Sequence, residues 1–254
     1  MPGSTMSGDV RRLPDAGGTL VDVVDALHDI GEQLAGLPHA LVGGLAVLVH
    51  VPGHRVTEDI DSAVRGTKND IADRLRVVAG VSPGQGDSFT TAGGVPIDVL
   101  RVGEKAPRTG IGVRREARAY ALRWAIDTAK VRTVTTDPAP RRGPVRLPVA
   151  EPAALIAMKC ASMADPGRGD KRATDLLDIW RLLAQDPVAT VNVVADLVQA
   201  PGVLPAYVRA RLTGLFASDP AAFVASMATG PGAPTTTADV RDLWTAIIEP
   251  GLFR

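Results

Sequence analysis

From Glu151 onward the apolar pattern is helical throughout, which confines the strands of this chain to its first 150 residues. Helices are expected near 151–164, 170–184, 188–199, 205–216, 219–228 and 236–247, separated by Pro and Gly. Strands in one half and helices in the other predict an α+β chain rather than a regular βαβ alternation. At 254 residues the chain can bury a core of its own and make one or two domains. The expected division is a frayed tail over 1–17, a strand-containing domain over 18–150 and a helical domain over 151–254.

Within the first half, Leu20, Val23, Val24, Leu27 and Ile30 recur at helical spacing. A short strand at His39–Val42 runs into Gly43-Gly44, read as a turn, and a helix over Leu45–Val51 is halted by Pro52-Gly53. Asp59–Val64 alternates carboxylate and apolar residues as a strand does, and Lys68–Val78 is helical. Ser88–Thr91 and Ile97–Val102 flank a glycine pair and predict an antiparallel hairpin. Farther on, a helix over Arg114–Lys130 and edge strands at Val131–Thr136 and Val145–Val149 surround the segment DPAPRRGP.

Lys and Arg total 28 against 28 for Asp and Glu, so no global basic field holds nucleic acid, and any such partner must be met by a local patch. Cys160 is the only cysteine, which excludes an internal disulfide and a cysteine-based zinc cluster and suits a reducing, cytoplasmic setting. No apolar run reaches the length of a membrane span, and the N-terminal stretch lacks the apolar core of a secretion signal.

The chemistry concentrates around Asp59-Ile60-Asp61. Alternate strand residues point to one face, so the two carboxylates project together, roughly 6 to 7 Å apart. Like charges at that spacing favour a hard cation such as Mg²⁺, which takes carboxylate oxygens and completes its shell with water and phosphate; the alternative is a solvated strand edge. Asp98, between apolar Ile97 and Val99, is a third carboxylate that would complete a two-metal clamp, or else a hairpin residue facing water. Gly43-Gly44 suits close backbone approach to phosphate at a helix N-terminus, and also an ordinary turn.

Lys159 is the only charged residue between Glu151 and Asp165, so its ammonium wants a phosphate or carboxylate partner, or a route to water. On the next helix Asp175 borders the stripe of Leu176, Ile179, Trp180 and Leu183, whereas Asp178 is placed as an exposed neighbour of Arg181. Arg55 either reaches phosphate or braces its turn, and Thr57 reads as a β-branched strand residue. A phosphate on Thr57 would sit beside the aspartates and block activity. His50 and His54 are expected as loop histidines.

Gly43-Gly44 followed by Arg55-Val56-Thr57-Glu58-Asp59-Ile60-Asp61 resembles the polymerase-β-type nucleotidyltransferase signature, in the form found in the AbiEii toxin family, which includes the mycobacterial MenT toxins. A second resemblance covers Glu151-Pro152, Met158-Lys159 and Asp175-Leu176-Leu177-Asp178. The resemblance implies a mixed sheet flanked by helices followed by a helical lobe, with Asp59, Asp61 and Asp98 holding Mg²⁺ or Mn²⁺. Gly43, Gly44, Arg55, Lys159 and Asp175 would hold the NTP, Lys159 and Asp175 being needed for activity. It also implies a toxin acting on the 3′ end of tRNA, and a cognate antitoxin. Arginines 108, 114, 115, 118, 123, 141, 142 and 146 form an RNA-facing patch in this reading or simply reflect an arginine-rich composition. A small-molecule or protein-hydroxyl acceptor, and a non-catalytic nucleotide-binding module, remain open alternatives.

Overall fold

The computed structural model describes residues 10–14, 19–53, 57–76, 82–83, 87–105, 107, 109–164, 169–229, 233–234 and 236–253. Two compact units emerge: Met1–Arg101 with Ala129–Ala150, and Val102–Thr128 with Glu151–Arg254. The first holds the strands, the second is helical, and together they make an α+β chain. Glu151–Arg254, the span read as the helical domain, lies in the second unit. The helix expected within 114–130 instead joins the helical unit.

Among the described residues of the first unit eight strands form one mixed sheet: β1 (Val10–Pro14), β2 (His39–Val42), β3 (Ile60–Arg65), β4 (Ser82–Pro83), β5 (Ser88–Thr90), β6 (Pro96–Val102), β7 (Lys130–Asp137) and β8 (Val145–Val149). Their order is β1-β7-β8-β2-β3-β6-β5-β4. β2 is central, and Ala40, Leu41 and Val42 are fully buried, which is why its sequence is a continuous apolar run rather than an alternation. It pairs antiparallel with β3, Val42 opposite Asp61, and parallel with β8.

Two expectations change here. The tail expected over 1–17 contains β1, which pairs parallel with β7 from Val10 opposite Thr133 to Pro14 opposite Asp137. Its arginines disguise a strand whose Leu13 is fully buried. β7 and β8, expected at an edge, are interior, because β1 covers β7 and β2 covers β8.

Helix α1 (Thr19–Gln33) buries Leu20, Val23, Val24, Leu27 and Ile30 at 2% exposure or less. Its outer side carries Asp22, Asp25, Asp29 and Glu32, which meet the β7–β8 turn: Arg141 pairs with Asp22 and Asp25, and Arg142 with Asp29 and Glu32. His28 Nε2 donates to the Gly143 carbonyl at 2.9 Å. The short helices α2 (Gly43–His50) and α3 (Lys68–Arg76) complete this unit.

The helical unit comprises α4 (Val113–Asp127), α5 (Pro152–Ser162), α6 (Gly169–Leu183), α7 (Pro187–Val198), α8 (Leu204–Leu212), α9 (Pro220–Ser226), α10 (Thr237–Leu243) and α11 (Glu249–Leu252). Wider π turns extend α8 over Thr213–Ser218 and α10 over Trp244–Ile248. Ala117, Ala121 and Ala125 of α4 and Ala154 and Ala157 of α5 are fully buried, and side chains this small let α4 and α5 pack closely. Trp180, Phe216, Phe223 and Trp244 form the aromatic centre, with Phe216 4.8 Å from Phe223 and 6.4 Å from Trp244 between ring centroids. Asp186 caps α7, accepting from Val188 and Ala189 N–H at 2.9 Å each, and Thr236 with Asp239 forms a capping box on α10.

Candidate active site

The β2–α2 corner is tighter than a turn. Val42 ends the strand and Gly43 is already the first residue of α2, at φ +70°, where a side chain is strained. A Cβ at Gly43 would lie 1.9 Å from Oδ2 of Asp61, so the carboxylate occupies the space that glycine leaves open. The glycine pair, expected to link strand and helix, is the start of the helix itself. Its first-turn N–H groups lack helical partners, which is the arrangement that binds anions at helix N-termini.

Asp59 lies just before β3 and Asp61 within it, with fully buried Ile60 between them, so the expected alternation holds and both carboxylates are half-buried. Thr57, in the irregular segment before β3 rather than in a strand, is buried at 4% exposure and donates its hydroxyl to Asp59 Oδ1. On neighbouring β6, Ile97 and Val99 are buried and Asp98 is half-buried, accepting from Ser88 Oγ at 2.5 Å. Ser88 is a positioning group that sequence reasoning missed; its signal was the hairpin pairing that sets Ser88 opposite Asp98.

Three half-buried carboxylates on β6 and around the start of its neighbour β3 are a hard-oxygen donor set, the chemistry Mg²⁺ or Mn²⁺ selects. Among the described residues no three His, Cys, Asp or Glu side chains converge into a metal cage.

In the helical unit Lys159 meets two anions. Its Nζ donates to Asp175 Oδ1 at 2.8 Å and to Asp178 Oδ2, with side-chain exposures of 11%, 7% and 0% for Lys159, Asp175 and Asp178. Asp178, expected on the surface beside Arg181, is instead wholly buried. The correction has a simple cause: its i to i+3 spacing from Asp175 lets one ammonium bridge both carboxylates. Burial pushes the Lys159 ammonium down, and Asp178 and Asp175 more than reverse this, leaving its pKa above the ordinary lysine value.

Arg55 and His54 lie outside the described residues. His50, expected in a loop, ends α2 as a buried residue with Nε2 2.8 Å from the Ala150 carbonyl. Cys160 is a core thiol, pushed up to about 12 chiefly by burial. The arginine group divides: Arg141 and Arg142 are engaged by α1, Arg123 contacts Glu104 and Lys105 carbonyls and Asp127, and Arg108 lies outside the described residues.

The match to a family described as nucleotidyl transferase AbiEii toxin, type IV TA system, extends over residues 25–249 and takes in both the aspartate corner and the lysine triad. This chain is a nucleotidyltransferase. It belongs to the AbiEii family of nucleotidyl transferase toxins, so a nucleotide substrate and an antitoxin partner follow from its membership. Solved structures similar to it include an antigenic nucleotidyltransferase-like protein from Paracoccidioides brasiliensis, with 18% identity and a TM-score of 0.41 over 76% of this chain and 94% of that one. JHP933 from Helicobacter pylori has 13% identity and a TM-score of 0.41, over 91% of this chain and 93% of that one. A comparison with curated proteins finds no match. Among the described residues no helix is long and apolar enough to cross a membrane.

Proposed function

We propose that this toxin is a cytoplasmic enzyme that transfers a nucleoside monophosphate from an NTP to the 3′ end of tRNA, blocking translation. The observation that supports it most is the contact between Gly43 and Asp61: glycine lets the carboxylate and the first-turn N–H groups of α2 share one small space. Phosphate and a cation are the two partners such a space accommodates.

In this reading Asp59 and Asp61 would hold Mg²⁺ or Mn²⁺, and Asp98 completes the donor set or takes the proton of the attacking hydroxyl. Such an ion, when bound, would supply positive charge against the α-phosphate and the leaving pyrophosphate. The tRNA 3′-hydroxyl oxygen bonds to the α-phosphorus, the bond to the β-phosphate oxygen breaks, and pyrophosphate leaves with that electron pair. Gly43 and Gly44 offer backbone N–H to the triphosphate. Lys159, held by two carboxylates, acts through the position of Asp175 rather than as a free ammonium. A phosphate on Thr57 would displace the hydroxyl that holds Asp59 and stop turnover; full activity of stoichiometrically phosphorylated protein would overturn that point.

The test is incubation of purified protein with total tRNA, Mg²⁺ and each α-labelled NTP in turn, beside Asp59→Ala. Label in tRNA made only by the unaltered protein supports the reading and names the nucleotide. Label in protein or in a small molecule instead would replace the acceptor, and label nowhere would refute transfer.

A further inference from the structure

Helices α4 and α8 of the helical unit carry a cluster of arginines with no carboxylate partner among the described residues. Arg114 and Arg118 lie four residues apart on α4, and Tyr207 and Arg211 four apart on α8, so each pair shares a face of its helix. The two helices pack together, and the turn before α8 is tight: Gly202 sits at φ +61°, where a Cβ would come 2.6 Å from the Tyr120 ring of α4. A side chain there would force the elements apart. The helix faces are therefore held in place before any ligand arrives.

Arg114 of α4 and Tyr207 of α8 both reach backbone carbonyls at or just beyond the C-terminal end of α5, and Arg211 follows Tyr207 by one helical turn. Arg114 donates Nη1 to the Ala164 carbonyl at 2.7 Å, and the Tyr207 hydroxyl donates to the Cys160 carbonyl at 3.4 Å. The Nε of Arg211 is buried with no hydrogen-bond acceptor. No carboxylate among the described residues pairs with Arg114, Arg118 or Arg211. Asp175 of α6 already serves Lys159. A buried N–H without an acceptor is costly, and an anion would satisfy it.

We infer that Arg114, Tyr207 and Arg211 form a phosphate-binding site on the helical unit, with Arg118 at its rim. Arginine forks match phosphate oxygens in pairs, and the Tyr207 hydroxyl, whose 3.4 Å bond to the Cys160 carbonyl is long, can exchange that acceptor for a phosphate oxygen. The inference deepens the proposed reading, because both substrates of nucleotidyl transfer carry phosphate: the acceptor along its backbone, the donor in its triphosphate.

The two sources separate in binding experiments on full-length Asp61→Asn protein, which prevents turnover. The probes are a fluorescein-labelled RNA hairpin with a single-stranded 3′ end, read by anisotropy, and ATP, read by calorimetry. Arg211→Gln is expected to weaken one probe about tenfold, the scale of one charge-assisted hydrogen bond. Tyr207→Phe, which keeps the ring, should weaken the same probe by less.

If that probe is the hairpin, the slope of log affinity against log salt also becomes shallower by roughly 0.7 to 0.9, and the site grips acceptor backbone. If it is ATP, the site grips the triphosphate. Unchanged affinity for both probes, in variants that melt as the parent does, would overturn the inference. Should Arg211→Gln fail to fold, exposed Arg118→Gln together with Tyr207→Phe makes the same decision. Unaltered protein that labels no tRNA, beside variants that lose hairpin affinity, would sink the tRNA-transfer reading and keep the site.

Discussion

The aspartates of the sheet and those of the helical unit are the same side chain in opposite circumstances. Asp59 and Asp98 are half-buried, each receiving a neutral hydroxyl, from Thr57 and Ser88. Asp175 and Asp178 are buried and share one lysine ammonium. A hydroxyl orients a carboxylate without cancelling its charge, so the sheet aspartates keep their attraction for a cation. The lysine cancels charge that the helical interior could not tolerate. In the proposed reading the first group is arranged for chemistry, whereas the lysine of the second offsets charge inside the helical unit.

The largest break in that contrast is Asp61→Asn. Several kcal/mol of charge stabilisation in the transition state correspond to roughly a 10³-fold loss of transfer rate. Melting temperature should stay near the parent value, since the change removes one of several like charges. A large drop in stability would show that Asp61 holds the fold, and the comparison would fail. Lys159→Met should instead lower stability as well as transfer. It leaves two carboxylates buried without their cation, a cost of about 3–5 kcal/mol in denaturant unfolding. The pH dependence sharpens this. Because the folded-state pKa of Lys159 is raised, the stabilisation is fully present below the unfolded lysine value of about 10.4 and is lost as pH rises through the folded value. Parent and Lys159→Met stabilities should therefore converge only in strong alkali.

Gly43→Ala tests the corner where backbone and carboxylate meet. A left-handed residue with a Cβ costs about 1–2 kcal/mol, and the new methyl must displace Asp61. A carboxylate moved by about 1 Å is expected to lower the transfer rate roughly 10²-fold. Loss of stability with full activity would show that Asp61 does not need its observed place.

Much of this contrast was legible in the sequence. Period-two alternation placed Asp59, Asp61 and Asp98 on the half-buried side of apolar neighbours, and the isolated charge of Lys159 demanded an anion. What escaped was set by contacts distant in sequence. Burial of Asp178 depends on a lysine 19 residues away that already serves Asp175. β1 looked like a tail because Arg11 and Arg12 interrupt its apolar residues, and only pairing with β7, some 120 residues later, makes it a strand. The interior place of β7 follows from that same pairing, and that of β8 from its pairing with β2. α4 joins the helical unit because its alanine face fits α5, a fit that a linear division at residue 150 does not express.

The smallest expected effect comes from the clamp between α1 and the β7–β8 turn. Four acids on α1 face Arg141 and Arg142, an array with more ion pairs than the lysine triad. Arg141 and Asp22 are 73% and 51% exposed, however, so water and salt screen the attraction and long side chains lose entropy in forming it. Arg141→Ala should therefore cost no more than about 1 kcal/mol in denaturant unfolding, less at high salt, and should leave transfer unchanged. If it instead costs as much as Lys159→Met, burial is not what separates weak ion pairs from strong ones in this fold. A loss of tRNA labelling at full stability would carry a different meaning, that Arg141 serves the acceptor and the acids of α1 hold it ready.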